Sequence, residues 1–276
     1  DFESLRRLVD FAVDCGIEAL CLPAYGSEFY KLSENERIAV VKTAVEQVRG
    51  RAKVVAQSNH PSSRIAADIA RKNQDLGADV ISFALPRQFA LAEIDQLRFA
   101  ETVTRAVNRP VLIQDFNPGG ATVGAEFARR LTDSAPNFAY LKLEEPMMGA
   151  KVRAITEATR GHIGVLEGWG GMYLLELMPS GICGVMPGLA LCDLFQELTR
   201  RALAGDDPGA LELFRVVLPQ IVYSLQNMEL FHHCEKRLLA RRGLISAPVV
   251  REPALTLDAT ASEYIDQLIG DVLIAV

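Results

Sequence analysis

Lys142 lies in the middle of a run from Phe138 to Glu145 that has the pattern of a β-strand and that Pro146 ends. An ammonium group is strongly hydrated, and its burial without a partner is unfavourable by several kcal/mol. A strand keeps such a lysine either at a sheet edge or where an amine is needed inside a cavity. Desolvation favours the neutral amine, which can attack a carbonyl carbon and form a Schiff base. Lys142 is therefore a candidate nucleophile.

Alternation along this strand gives Lys142 a direction. Tyr140, Lys142 and Glu144 share one face, whereas Leu141 and Leu143 share the other. The two leucines are expected to pack under helices, so Lys142 is expected to point away from the helices, towards the interior that the strands enclose. On that face Tyr140 would lie one layer deeper, and Glu144 would lie nearer the open end at which the strands stop. The carboxylate is compatible with a structural ion pair and, equally, with a proton-transfer partner for the amine.

The elements that must position these residues alternate along the chain. Short apolar runs are followed by amphipathic helical stretches, which predicts an α/β protein with parallel strands and crossover helices. The predicted strands occupy Ala19–Ala24, Lys53–Ser58, Val80–Pro86, Val111–Phe116, Ala139–Glu145, Gly164–Gly168 and Gly184–Pro187.

The alternation of strands and helices favours a (β/α)₈ TIM barrel, which has eight strands. The chain opens instead with a predicted helix, Phe2–Asp14, so the first strand is expected to be missing from the N-terminus of this chain. An open doubly wound sheet is the competing architecture. It usually carries a glycine-rich phosphate-binding turn, and no GxGxxG or P-loop pattern follows any predicted strand.

After the last predicted strand the pattern becomes purely helical. Helices are expected over Leu191–Ala204 and Ala261–Leu273, with two more between Pro208 and Arg242 hinged near Pro219. We therefore expect a barrel over residues 1–190 and a C-terminal helical extension over residues 191–276. The two are predicted to pack as one structural unit.

Composition limits the classes of partner. The 276 residues carry a net charge of −6 without a basic run, which argues against nucleic acid. No apolar stretch reaches bilayer length, and the first residues do not resemble a signal peptide. Five cysteines without a CxxC pair suit reduced thiols in a cytoplasmic protein. The four histidines lack metal-ligand spacing, so no metal is expected.

In such a barrel the active site lies at the C-terminal ends of the strands. That rule selects the turn Tyr25-Gly26-Ser27, together with Asp115, Glu144, Gly168 and Met186. Asp115 precedes Phe-Asn-Pro-Gly, so it is compatible with capping a turn and with proton transfer.

Several short motifs resemble, in order, those of one family. Ser27-Glu28 is similar to the end of a glycine-Thr-Thr-Gly-Glu turn, and Leu76–Asp79 is similar to a G-A-D before a strand. Asn108–Ile113 is similar to the strand that leads to a YNxP segment, and Gly181–Met186 to a G-x-x-G-hydrophobic strand. The chain resembles the dihydrodipicolinate synthase / N-acetylneuraminate lyase family of class I aldolases.

This resemblance implies a (β/α)₈ barrel with a C-terminal helical extension, assembled as a homotetramer or a dimer. Lys142 falls at the position of the Schiff-base lysine, and the substrate is a 2-oxo acid such as pyruvate. Tyr25, Gly26 and Ser27 then hold the substrate carboxylate, Gly168 is a further substrate-binding residue, and Met186 forms a hydrophobic wall beside the imine. A lysine nucleophile needs no metal or organic cofactor.

The chain also departs from the family pattern. Tyr25-Gly26 replaces the Thr-Thr pair, and Asp115 stands in place of the YNxP tyrosine. Gly119-Gly120-Ala121 occupies the place of an arginine tied to dihydrodipicolinate synthesis. With Lys142 as nucleophile and Asp115 or Glu144 moving protons, the resemblance implies a dehydratase or aldolase of 2-keto-3-deoxy sugar acids. The alternatives are aldol condensation of pyruvate of the dihydrodipicolinate synthase type and a non-catalytic 2-oxo acid binding paralogue.

Overall fold

The computed structural model describes residues 1–117 and 120–276. It divides into two compact units, one formed by Asp1–Ala52 with Pro187–Val276 and the other by Lys53–Met186. Gly119, part of the segment in which the family arginine is absent, lies outside the described residues.

Seven strands lie in the described residues, each within a predicted apolar run or one residue outside it. They are β1 (Ala19–Leu22), β2 (Lys53–Gln57), β3 (Val80–Ala84), β4 (Val111–Asp115), β5 (Phe138–Leu143), β6 (Gly164–Glu167) and β7 (Gly184–Val185). The α-helices are α1 (Phe2–Asp14), α2 (Glu34–Val48), α3 (Ser63–Asp75), α4 (Glu93–Thr104), α5 (Ala125–Ser134), α6 (Gly149–Ala158), α7 (Leu174–Leu177), α8 (Cys192–Leu203), α9 (Asp207–Ser224), α10 (Met228–Arg241) and α11 (Ala259–Ala275).

Strands β2 to β7 form a parallel sheet in chain order within the second unit. In the register, Ala84 pairs with Gln114, Gln114 with Lys142, and Lys142 with Leu166. The predicted α/β class with parallel strands is confirmed. Parallel pairing brings the carboxyl ends of these strands to one edge, which is where the candidate residues lie.

Burial on both faces explains the continuous apolar strands. In β3, Ile81 and Phe83 are fully buried, and so is Ser82 between them. Helix α3 covers the sheet with alanines, of which Ala66 and Ala70 have no exposed surface. These small side chains bring the helix close to the strands.

Helix α2 begins with a capping box, in which Ser33 accepts from the N–H of Glu36 and donates its own N–H to the Glu36 carboxylate. The predicted hinge near Pro219 is wrong, because Pro219 lies inside α9. Its neighbours Gln220 and Ile221 are buried, so packing outweighs one lost backbone hydrogen bond. The helix break comes at Asn227, whose side chain caps α10.

Among the described residues, none of the helices combines the length and the apolar character that crossing a membrane requires.

Candidate active site

The burial pattern of β5 follows the predicted alternation. Leu141 and Leu143 have no exposed surface, which fixes the face of the strand that lies under the helices. Lys142 points the other way, and its side chain is 12% exposed. Tyr140, on the same face, is 37% exposed, so it does not form the deeper packed layer that the sequence predicts.

Lys142 and Glu144 form an ion pair in which Nζ lies 3.1 Å from Oε1. Only 8% of the Glu144 side chain is exposed. Burial raises the pKa of Glu144 above its ordinary value, although the Lys142 ammonium and a hydrogen bond from Gln114 oppose that rise. The pair thus places a carboxylate with a strengthened affinity for protons in contact with the candidate nucleophile.

Gly168 forms one wall of this pair. A Cβ atom at Gly168 would lie 2.5 Å from Cγ of Glu144 and 2.8 Å from Cε of Lys142. The backbone of Gly168 is held in place by its N–H, which donates to the carbonyl of Leu143 at 2.9 Å. The side chains of Lys142 and Glu144 therefore lie directly against backbone, and only glycine leaves them that space.

A row of buried amides leads from β3 to Glu144. The N–H of Ala84 donates to Oδ1 of Asn59 at 2.7 Å, and Nδ2 of Asn59 donates to Oε1 of Gln57 at 2.8 Å. Nε2 of Gln57 donates to Oε1 of Gln114 at 2.9 Å, and Nε2 of Gln114 donates to Oε1 of Glu144. Glu144 is therefore held from two sides, by Lys142 and by this row.

Asp115 has a different environment, on the face of β4 opposite Gln114. It has no exposed surface and accepts two hydrogen bonds from Arg87, at 2.8 Å from Nε and 2.6 Å from Nη2. The N–H of Val123 also donates to it, at 2.7 Å. Such a bidentate pair fixes both side chains, and Asp115 thereby anchors the residues that precede α5.

Glu167 is a buried carboxylate at the end of β6. It accepts from the N–H of Trp169 at 3.0 Å and from the N–H of Gly171 at 2.7 Å. Burial raises its pKa to about 7 against these hydrogen bonds and the charge of Lys142. Glu167 thereby fixes the loop that begins with Gly168.

Met186 follows β7 and is half-buried, and its N–H donates to the carbonyl of Glu167 at 3.2 Å. The turn Tyr25–Ser27 belongs to the first unit and forms one turn of 3-10 helix in which Gly26 and Ser27 are exposed. A Cβ atom at Gly26 would lie 3.1 Å from Cε1 of Phe231, so α10 packs closely against this turn.

The described residues contain no group of three or more His, Cys, Asp or Glu side chains that could hold a metal ion.

The sequence profile of the Dihydrodipicolinate synthetase family matches residues 1–271. The chain belongs to this family. The family membership predicted from the motifs is thus confirmed over almost the whole chain.

Relatives within the family differ in the reaction that they are named for. Over 257 residues the chain is 27% identical to an L-2-keto-3-deoxyarabonate dehydratase of Azospirillum brasilense, covering 92% of this chain and 82% of that protein. It is 24% identical to a 4-hydroxy-tetrahydrodipicolinate synthase of Bacillus subtilis, covering 95% of this chain and 93% of that protein. This family member is a lyase, which confirms the enzyme class predicted from the sequence.

Solved structures of the family share the fold. A dihydrodipicolinate synthase from Rhodopseudomonas palustris superposes with a TM-score of 0.90 at 24% identity, covering 98% of this chain and 91% of that one. A family protein of Escherichia coli in complex with pyruvate superposes with a TM-score of 0.87 at 21% identity, covering 99% and 93%.

The site predicted from the sequence comes together in part. Lys142, Glu144 and Gly168 are in mutual contact, whereas Asp115 is engaged by Arg87. Sequence reasoning missed Gln57 and Gln114 of the amide row. Their signal was present, because each is a polar residue that directly follows a run of three apolar residues near the carboxyl end of its strand.

Proposed function

We propose that this chain dehydrates a 2-keto-3-deoxy sugar acid through a Schiff base on Lys142. The observation that carries the proposal is the 3.1 Å contact between Nζ of Lys142 and Oε1 of Glu144, against the backbone of Gly168. The similarity to a 2-keto-3-deoxyarabonate dehydratase agrees with it. It also agrees with the prediction from sequence, a Schiff-base-forming lyase for this class of acid.

The first step is imine formation, which requires a neutral amine. Glu144 takes one proton from the Lys142 ammonium, a transfer that the raised pKa of Glu144 favours. The amine attacks C2 of the 2-oxo acid, the carbonyl oxygen becomes the carbinolamine hydroxyl, and Glu144 returns its proton to that hydroxyl. Water leaves and an iminium remains, with Glu144 again ionised.

The second step is elimination. The iminium withdraws electrons from C3, and the Glu144 carboxylate removes a C3 proton to give an enamine. Glu144 then protonates the C4 hydroxyl, which departs as water while the enamine electrons form the C3–C4 double bond. Hydrolysis consumes one water, releases an unsaturated 2-oxo acid and restores Lys142. The net change is the loss of one water molecule.

The remaining site residues have supporting roles in this proposal. Tyr25, Gly26 and Ser27 hold the substrate carboxylate, through the exposed Ser27 hydroxyl and backbone N–H groups at the start of the turn. Met186 forms an apolar wall. For Asp115 the contacts with Arg87 and Val123 support a positioning role rather than proton transfer.

We further propose that residues 1–190 form a (β/α)₈ barrel lacking its first strand, with residues 191–276 as the helical extension. The structural neighbours are dihydrodipicolinate synthases, which supports this architecture. A cytoplasmic homo-oligomer, either a dimer or a tetramer, completes the proposal.

Borohydride reduction tests the imine. The protein is incubated with pyruvate or with 2-keto-3-deoxyarabonate, reduced and mapped by peptide mass spectrometry. We expect the adduct on Lys142 and its loss in Lys142→Arg. Lys151→Arg is the matched control, because Lys151 is also largely buried and paired with a carboxylate, Glu145. An unmodified Lys142 in the wild-type protein contradicts the proposal.

Product analysis separates the reactions that share this imine. A dehydratase converts the keto-deoxy acid without releasing pyruvate, whereas an aldolase releases pyruvate. Pyruvate that is consumed only in the presence of aspartate semialdehyde identifies condensation of the dihydrodipicolinate synthase type. Thermal stabilisation by the 2-oxo acid without any product or trapped imine identifies a binding paralogue.

A further inference from the structure

Asn59, Gln57 and Gln114 form the amide row that ends on Glu144, and all three are at least 95% buried, with 5%, 3% and 3% of their surface exposed. We propose that this row is a positioning device that holds Glu144 as an acceptor beside Lys142 and keeps it ionised for the C3 proton. The inference rests on the proposed function and names residues that the proposed reaction steps do not use.

The direction of the row is fixed at its start. A backbone N–H can only donate, so the atom of Asn59 that accepts from Ala84 must be its oxygen. Nδ2 of Asn59 then faces Gln57, and each following amide accepts through its oxygen and donates through its nitrogen. The nitrogen of Gln114 therefore faces Glu144. Reversing any one amide breaks a hydrogen bond on both of its sides.

The last bond of the row opposes the effect of burial. Desolvation favours the protonated form of Glu144, whereas an N–H donor favours the ionised form. A donor whose orientation is fixed stabilises an ionised carboxylate more than a freely rotating donor does, because it is already oriented before the charge forms. The donor thus keeps a fraction of Glu144 ionised and able to remove a C3 proton. Burial at the same time gives the carboxylate a high affinity for that proton.

Other charged groups around Glu144 come from three strands. Lys142 on β5 lowers its pKa, and Asp115 on β4 raises it while paired with Arg87. Glu167 on β6 lies within the electrostatic reach of Lys142. These groups remain when a single amide of the row is replaced, so a substitution in the row isolates the contribution of the amides.

A row of buried amides that served packing alone would be replaceable by apolar side chains of the same length at a cost in stability only. A positioning row predicts more, namely a change in the protonation of Glu144. The two roles are therefore separable by a pH profile.

The test substitutes methionine, which has the length of glutamine but no donor. In Gln114→Met we expect the acidic limb of kcat to move up by about one pH unit, with kcat about tenfold lower at acidic pH and nearly unchanged at alkaline pH. Gln57→Met leaves Gln114 in place but releases its orientation, so a shift of the same sign and about half the size is expected.

Gln96→Met is the matched control. Gln96 in α4 is 1% exposed and donates to the carbonyl of Pro86 at 2.7 Å, outside the row. Its replacement also removes a buried hydrogen bond, so it should lower stability without moving the pH profile. Equal profiles for Gln114→Met, Gln57→Met and the wild type overturn the proposal, and so does an equal shift in Gln96→Met.

An infrared titration of the Glu144 carboxyl gives a readout that is independent of turnover. The band is assigned by its loss in Glu144→Gln, and its midpoint should rise in Gln57→Met as well as in Gln114→Met. Trapping of pyruvate on Lys142 is measured in parallel. Absence of the adduct in the wild type contradicts the proposed function. An intact adduct with unshifted midpoints contradicts only the positioning role of the amide row.

Discussion

Gly168 lies so close to Glu144 that a Cβ atom on the glycine would stand 2.5 Å from Cγ of the glutamate. The same atom would stand 2.8 Å from Cε of Lys142. Lys142, the proposed nucleophile, and Glu144, its proposed proton-transfer partner, are thus confined by one stretch of backbone. The geometry of the pair depends on a residue that has no side chain.

Gly168→Ala should therefore separate activity from folding. The added methyl group must displace Glu144 or Lys142, and overpacking of this kind destabilises a protein by about 1–3 kcal/mol. We expect kcat to fall by about a hundredfold, because small displacements of reacting groups are costly. Steady-state kinetics and chemical denaturation measure the two effects.

Gly184→Ala is the control, since a Cβ atom there would meet only Cδ2 of Leu166, at an ordinary 3.8 Å. It should retain the activity and stability of the wild type. Wild-type kcat in Gly168→Ala would show that the pair tolerates displacement.

Glu144→Gln tests the carboxylate as the group that moves protons. The amide retains the shape but cannot accept a proton, so kcat should fall by about 10²–10⁴-fold. In the wild type, burial raises the pKa of Glu144, and the proposed removal of the C3 proton requires its ionised form. Activity should then decline, as the pH is lowered, at a higher pH than an ordinary glutamate would give. Trapping with pyruvate should label Lys142 more slowly than in the wild type, because Glu144 also moves the protons of imine formation. A wild-type kcat in the variant excludes this role.

The strands were predictable because parallel strands are buried on both faces and form continuous apolar runs. The lysine and glutamate pair was also predictable, since alternation along a single strand places Lys142 and Glu144 on one face. Both inferences need only local sequence. Alternation does not predict how deeply Tyr140 is buried, because its exposure depends on what packs against that face of the strand.

The amide row could not be predicted in the same way. Gln114 lies beside Lys142 only through the register of β4 with β5, and Gln57 reaches Gln114 from a strand that is not adjacent to β4 in the sheet. The partner of Asp115 is Arg87, from the segment after β3, and no sequence pattern joins those two residues. Contacts between distant segments decide whether a polar residue at a strand end is catalytic or structural.

Asp115→Asn distinguishes the two roles considered for this residue. Loss of the charge leaves the Arg87 guanidinium without its bidentate partner in a buried setting, which should lower the free energy of unfolding by about 3 kcal/mol. If Asp115 positions the segment before α5, kcat should fall by less than about tenfold at temperatures where the variant is folded. Arg87→Gln, which breaks the same pair from the other side, should have a similar profile. A loss of kcat equal to that of Glu144→Gln, with stability unchanged, would make Asp115 a proton-transfer group.

Glu28→Gln tests how the turn Tyr25–Ser27 is held. Glu28 follows that turn with φ 54° and is 4% exposed, and its carboxylate contacts Lys236 as well as Lys31 at 3.2 Å. The neutral amide removes the only carboxylate that pairs with Lys236 among the described residues and one of the two that pair with Lys31, which keeps Glu229, so the free energy of unfolding should fall by about 1–3 kcal/mol. KM for the 2-oxo acid should rise more than kcat falls, because the turn is proposed to bind the carboxylate.

Glu36→Gln is the control. It removes the charge from an exposed pair with Arg251 while keeping the cap of α2, and it should change neither KM nor the free energy of unfolding appreciably. A Glu28→Gln protein with wild-type KM and stability would show that this ion-pair cluster does not support the turn.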